Sequence, residues 1–236
     1  MAVLAVTLVW LLYGAGGQST STGIDEIAVR ARSIPGVSEV YVREYQERAR
    51  IVDEVMAAPA DARIIVGGYS CGLNSATAIA RLLWERGRRV ASVVGIQQSK
   101  WCGGDALEGN VTYGQSTYNA DCPSTMGLGC KPLAGAPSFG GQIINIDRPD
   151  SHGAADNNPD AQADVLKAIA ATAWYGAEVP APEPPPGAHP TPPIATPPRA
   201  ECSFAWSSNR GWAVLCSRPQ SAIDVIARPG AGVDWR

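Results

Sequence analysis

The sequence predicts a three-layer α/β fold in which helices cover both faces of a mostly parallel sheet of about five strands. Two observations carry that expectation. Short β-branched runs such as Ile64-Ile65-Val66 alternate with segments whose apolar residues recur at helical spacing. At Gly68-Tyr69-Ser70-Cys71-Gly72, one of these strands turns abruptly into a helix with a serine at the turn.

Taken in order, residues 3–12 read as a buried first strand that runs into the turn Gly14-Ala15-Gly16-Gly17. A secretory signal is the competing reading of the first seventeen residues, but no Lys or Arg precedes the apolar stretch. The stretch is also too short to span a bilayer. The strand is preferred because the sheet needs it and cleavage would delete it. On that reading the protein is soluble and cytoplasmic; on the other it is secreted. Ile24, Ile27, Ala28 and Ala31 predict a helix over 24–34, stopped by Pro35-Gly36. Alternation of Val37, Val40 and Val42 predicts a second strand. A charged helix over 44–58 follows, with Ala49, Val52, Val55 and Met56 as its inner stripe. After the strand 64–66, Asn74 is the expected cap of a helix carrying Ala76, Ile79, Ala80, Leu82 and Leu83 and ending near Gly87. Residues 90–96 form the fourth strand and 142–146 the fifth. A last helix over 160–174 shows Ala163, Leu166, Ile169 and Ala170.

Between residues 99 and 139 the pattern breaks into Gly, Cys, Ser, Asn and Pro, which reads as a long loop forming a lid or a binding wall. Proline dominates 179–198, an extended linker. Beyond it, Cys202, Phe204, Trp206, Trp212, Val214 and Cys216 are symmetric about Asn209, so a hairpin would pair Cys202 with Cys216, Phe204 with Val214, and Trp206 with Trp212. Its aromatic face is either a ligand surface for a sugar or peptide or a docking face on the main domain. The expected organisation is therefore a domain over 1–178, a linker over 179–199 and a hairpin tail over 200–236.

Composition narrows the partners. With 236 residues, a net charge of -3 and 17% charged residues, the chain has no basic field to attract nucleic acid or an anionic membrane surface. Its six cysteines, at 71, 102, 122, 130, 202 and 216, include no C-x-x-C or paired Cys/His cluster, so no metal is expected. In an oxidising compartment two of Cys102, Cys122 and Cys130 could pair; otherwise they are free thiols. Cys71 reads as a small packing residue.

A serine becomes a useful nucleophile only when a base takes its proton. The chain holds two histidines. His189 lies in the proline-rich linker. His152 follows the fifth strand, at the sheet edge where Ser70 falls, and is the candidate base. A third group should orient the imidazole. Asp105, Glu108, Asp121, Asp147 and Asp150 lie between Ser70 and His152, whereas the position just past the fourth strand reads Gln97-Gln98-Ser99. Asp105 is the preferred acid. An amide could orient the ring instead, but would stabilise an imidazolium less. Two backbone N–H groups are needed for a developing oxyanion, and Cys71 and Ala15 are the candidates. The turn 14–17 lacks the spacing of a phosphate loop, so neither a nucleotide nor another cofactor is expected.

Over residues 3–175 these features resemble the α/β-hydrolase superfamily without its first strands, Gly68-Tyr69-Ser70-Cys71-Gly72 standing as its nucleophile elbow. Gly14-Ala15-Gly16-Gly17, Ser21-Thr22-Gly23-Ile24-Asp25-Glu26-Ile27-Ala28, and Asn145-Ile146-Asp147 ahead of Ser151-His152-Gly153 are similar to a compact esterase/lipase-like group of bacteria and phages. Gly68-Tyr69-Ser70 is also similar to the cutinase elbow. The resemblance implies cleavage of a small or lipid-like carboxylic ester or thioester through an acyl-enzyme on Ser70. His152 would be the base, and Ala15 and Cys71 the oxyanion donors. The chain departs from the pattern at Tyr13, where many members have the His of a His-Gly pair, and at Gln98, where an Asp is expected. With the tryptophan-bearing tail, the second departure motivates the alternative of a binding protein on a hydrolase scaffold.

Overall fold

The computed structural model describes residues 6–121 and 131–174, together with the backbone of 202–207 and 211–216. Ten elements build the main body in chain order: β1 (Thr7–Leu12), α1 (Thr22–Ala31), β2 (Val37–Arg43), α2 (Arg48–Ala57), β3 (Arg63–Tyr69), α3 (Cys71–Glu85), β4 (Val90–Ile96), β5 (Val111–Tyr118), β6 (Gln142–Asp147) and α4 (Pro159–Trp174). The six strands lie in the order β2-β1-β3-β4-β5-β6, and every pairing is parallel. This is the α/β architecture expected for an α/β-hydrolase.

Because side chains alternate along a strand, each central strand feeds two cores. Leu8, Trp10, Leu12, Ile64 and Val66 pack with Ile51, Val52 and Val55 of α2 and Leu73, Ile79 and Leu83 of α3. Val9, Leu11, Ile65, Val94 and Ile96 pack with Ile24 and Ile27 of α1 and Val165 and Ile169 of α4 on the opposite face. All six residues of β1 are buried, the consequence of a central place between β2 and β3.

Several local expectations change. The sheet has six strands because the stretch read as a long loop contains β5. Its sequence, Val-Thr-Tyr-Gly-Gln-Ser-Thr-Tyr, shows no apolar run, yet Gly114 to Thr117 are buried. Gln115 and Ser116 find partners inside: the Gln115 amide donates to the Asp164 carbonyl at 2.7 Å, and the Ser116 hydroxyl to the Thr117 carbonyl at 2.8 Å. In α2 the inward stripe is Ile51, Val52 and Val55, whereas Ala49 and Met56 are exposed. In α4 the inward face is Ala161, Val165, Ala168 and Ile169; of the expected stripe, Ile169 is fully buried and Leu166 packs at its margin, whereas Ala163 and Ala170 are only half-buried. Asp164 also lies on the buried side, and its carboxylate takes Arg148 at 2.6 Å. Asn74 does not cap α3, which begins immediately after Ser70.

Glycine is required where α3 meets the sheet. A Cβ on Gly72 would lie 2.2 Å from the Leu12 carbonyl oxygen, and one on Gly68 2.7 Å from the same atom. Backbone therefore packs directly on backbone beside Ser70.

Contacts divide the chain into two units, 1–188 and 189–236. In the second, β7 (Cys202–Ser207) and β8 (Gly211–Cys216) form an antiparallel pair. Its register matches Cys202 with Cys216, Phe204 with Val214 and Trp206 with Trp212, as the symmetric spacing predicts. The linker over 179–199 lies outside the described residues, as do residues 3–5 of the expected first strand. Among the described residues no helix is long and apolar enough to cross a membrane.

Candidate active site

Ser70 occupies the single residue between β3 and α3, and the sharpness of that turn shows in its backbone, with φ 54° and ψ -123°. A positive φ in a non-glycine residue is a strained state that the surrounding structure must hold. Here the Ser70 N–H donates to the carbonyl of Ile96 at 3.0 Å, locking the turn to the end of β4. Among the described residues only one other non-glycine has positive φ. It is Gln97, at 46°, directly after β4, with its N–H on the Thr117 carbonyl at 2.8 Å. Both strained residues thus stand at the carboxyl ends of adjacent strands, where parallel sheets present ligands.

His152 opens a 3-10 turn, His152–Asn157, that follows β6. The Tyr69 hydroxyl donates to the His152 carbonyl, and the two rings stack with centroids 5.1 Å apart. Four residues on, the Asp156 carboxylate accepts the Gly23 N–H at 3.0 Å, and the Asp156 carbonyl accepts the Gln162 amide at 3.0 Å. These contacts pin the turn to α1 and α4.

The imidazole lies between two side chains. Its Nε2 is 2.8 Å from Ser70 Oγ, and its Nδ1 is 3.0 Å from Gln97 Oε1. Gln97 Nε2 in turn donates to the Asp150 carbonyl at 3.0 Å. That bond sets the direction of the amide and leaves its oxygen for the ring. An amide oxygen has no proton to give, so Nδ1 carries the hydrogen and the Nε2 lone pair faces the serine hydroxyl. Burial, with no carboxylate on either ring nitrogen to offset it, lowers the His152 pKa from its ordinary 6.5 to about 4. The ring is neutral at neutral pH.

Asp105 is not brought to the imidazole. Its carboxylate accepts Arg81 Nη1 at 3.1 Å, its N–H donates to Thr77, and both His152 nitrogens already have partners. Gln98, at the position where the resemblance expects an acid, points instead toward Thr77 Oγ1, at 3.5 Å. The orienting group is an amide, Gln97, the first residue beyond β4, in place of the preferred acid Asp105.

Cys71 and Ala15 flank the serine differently. Cys71 is the first residue of α3, so its N–H has no intrahelical acceptor and sits at the positive end of the helix dipole. The turn after β1 touches Ser70 as well, since a Cβ on Gly14 would lie 3.1 Å from the Ser70 Cβ; Ala15 is the next residue along it. Cys71 is also half of a disulfide with Cys102, with Cα atoms 5.3 Å apart. This corrects its reading as a packing residue and supplies Cys102 with a partner outside the loop. Cys122 and Cys130 lie outside the described residues. Asn74 strengthens the same junction. Its amide donates to the carbonyls of Ser99, at 2.8 Å, and Gly103, and its oxygen accepts the Ser99 N–H at 2.9 Å. Tyr13 donates its hydroxyl to Asp25 and takes no part in the arrangement. Among the described residues no cluster of His, Cys, Asp and Glu could hold a metal ion.

No protein-family description and no curated protein matches the chain in sequence. Solved structures of α/β-hydrolase superfamily thioesterases and esterases are similar in fold. The RedJ thioesterase from the prodiginine biosynthetic pathway of Streptomyces coelicolor is 12% identical over 73% of this chain and 96% of its own, with a TM-score of 0.45. An esterase of Pyrobaculum calidifontis is 14% identical over 72% and 76%, at 0.45. The NocB thioesterase domain, in covalent complex with a fluorophosphonate nocardicin G analog, is 12% identical over 70% and 94%, at 0.44.

Proposed function

We propose that this protein is a serine hydrolase that cleaves a carboxylic ester or thioester through an acyl-enzyme on Ser70. The observation that carries the reading is the relay Ser70–His152–Gln97, with contacts of 2.8 and 3.0 Å. Ser70 Oγ attacks the carbonyl carbon while its proton passes to His152 Nε2. Charge then develops on the carbonyl oxygen, where the N–H groups of Cys71 and Ala15 receive it. The imidazolium returns its proton to the leaving alcohol or thiol as the carbon–oxygen or carbon–sulfur bond breaks. Water then repeats the sequence on the acyl-enzyme, releasing the acid and restoring the serine. Gln97 holds the ring in the required tautomer throughout but adds no negative charge.

A fluorophosphonate probe should label the wild-type protein and fail to label Ser70→Ala. Hydrolysis of p-nitrophenyl acetate should drop about 10²- to 10⁴-fold in His152→Ala, the usual contribution of a positioned base. The neutral amide at position 97 favours one second reading, a binding protein on a hydrolase scaffold. A folded wild-type protein that is neither labelled nor active would decide for it.

A further inference from the structure

Trp101 is the most exposed large apolar side chain among the described residues, at 72%. An exposed hydrophobic residue on a loose loop would call for no explanation. This one is held on both sides. Ser99, whose hydroxyl accepts the Trp101 N–H at 3.1 Å, is fully buried and bonded to Asn74 through both its N–H and its carbonyl. Cys102, the residue after Trp101, is tied by the disulfide to Cys71. Just beyond, the Gly103 carbonyl accepts Asn74, and the Asp105 N–H donates to Thr77. The segment is thus fastened along the first two turns of α3, and the indole is left in solvent by a rigid mount.

The mount also sets its distance from the serine. Consecutive Cα atoms across trans peptides are about 3.8 Å apart. Trp101 and Ser70 are each one residue from the disulfide, whose Cα atoms are 5.3 Å apart, so their own Cα atoms lie within about 13 Å of each other. A large, flat apolar surface with two side-chain torsions, presented at that range from an acyl acceptor, is suited to cover an apolar group of the substrate.

We infer that Trp101 is a specificity-determining residue, and that the substrate carries a medium-length alkyl or aromatic acyl group that packs on its indole. The inference rests on the serine-hydrolase reading of Ser70. It is tested with p-nitrophenyl octanoate and p-nitrophenyl acetate, comparing the ratio of their kcat/KM values rather than either rate alone. The wild-type ratio should favour octanoate, and Trp101→Ala should lower it about tenfold or more, the scale on which apolar pocket contacts discriminate. Trp101→Phe should keep most of the preference, and Cys102→Ser should erode it by releasing the mount. A wild-type ratio that favours acetate, or one that survives Trp101→Ala, overturns the inference while fluorophosphonate labelling of Ser70 leaves the hydrolase reading standing. If neither ester is cleaved and Ser70 is not labelled, both fall together.

Discussion

At position 97 the imidazole meets a neutral oxygen, and its protonation follows from that. A carboxylate there would attract the imidazolium, whereas the amide leaves the cost of burial unopposed, and the His152 pKa falls to about 4. The pair therefore stays in the base-competent form well into acid, and the acid limb of kcat/KM in the wild-type protein should lie near pH 4. Gln97→Glu should move that limb upward by about 1 to 3 pH units, because an opposite charge at contact distance stabilises the protonated ring. An unmoved limb would show that Gln97 does not control the ring. The same substitution replaces the amide donor that now holds the Asp150 carbonyl, so a change in the unfolding midpoint should accompany it.

Between elements, two junctions position the site. The first is the crossing of α3 over β1 and β3, where Gly72 has no room for a side chain. Gly72→Ala places a carbon 2.2 Å from the Leu12 carbonyl oxygen, so strand and helix must separate. A loss of more than about 3 kcal/mol in urea unfolding is expected, at the upper end for a single overpacking change. The second junction is the disulfide from the start of α3 to the loop after β4, which spans 31 residues of sequence. Reducing it, or substituting Cys102→Ser, should cost about 2 to 4 kcal/mol, mainly through the greater freedom of the unfolded chain. Equal urea midpoints with and without a dithiol reductant would show that the bridge adds nothing.

For the whole molecule, the buried imidazole makes stability depend on pH. The folded pKa of His152 lies near 4, below the value near 6.5 of an unfolded histidine. Between these values the unfolded chain binds a proton that the folded protein does not, so this group's contribution to stability rises with pH. It is fully present above about pH 6.5 and is lost progressively as pH falls toward 4. Asp156 acts the other way. Burial raises its carboxyl above the ordinary range, so the folded state retains a proton that the unfolded chain releases, and stability falls with rising pH there. Urea midpoints measured from pH 4 to 7 should rise less steeply in His152→Gln than in the wild type. Identical slopes would mean that the ring is not buried as described.

The strand, turn and helix around Ser70 could be read directly from the chain, because each rests on local preference: β-branched residues before the turn, glycines within it, and an apolar stripe after it. The same holds for the place of His152 beyond the last strand and for the register of the Cys202–Cys216 hairpin. Tertiary structure alone decided what depends on contacts remote in sequence. Gln115 of the polar strand β5 can be buried because its amide meets the Asp164 carbonyl, which no pattern within residues 111–118 reveals. Cys71 pairs with Cys102 because β4 and α3 bring their ends together. Gln97 reaches His152 across 55 residues because β4 and β6, on either side of β5, end at the same edge of the parallel sheet. A linear pattern records what each segment prefers, whereas the partner of a buried polar group is set by which strand ends the sheet places side by side.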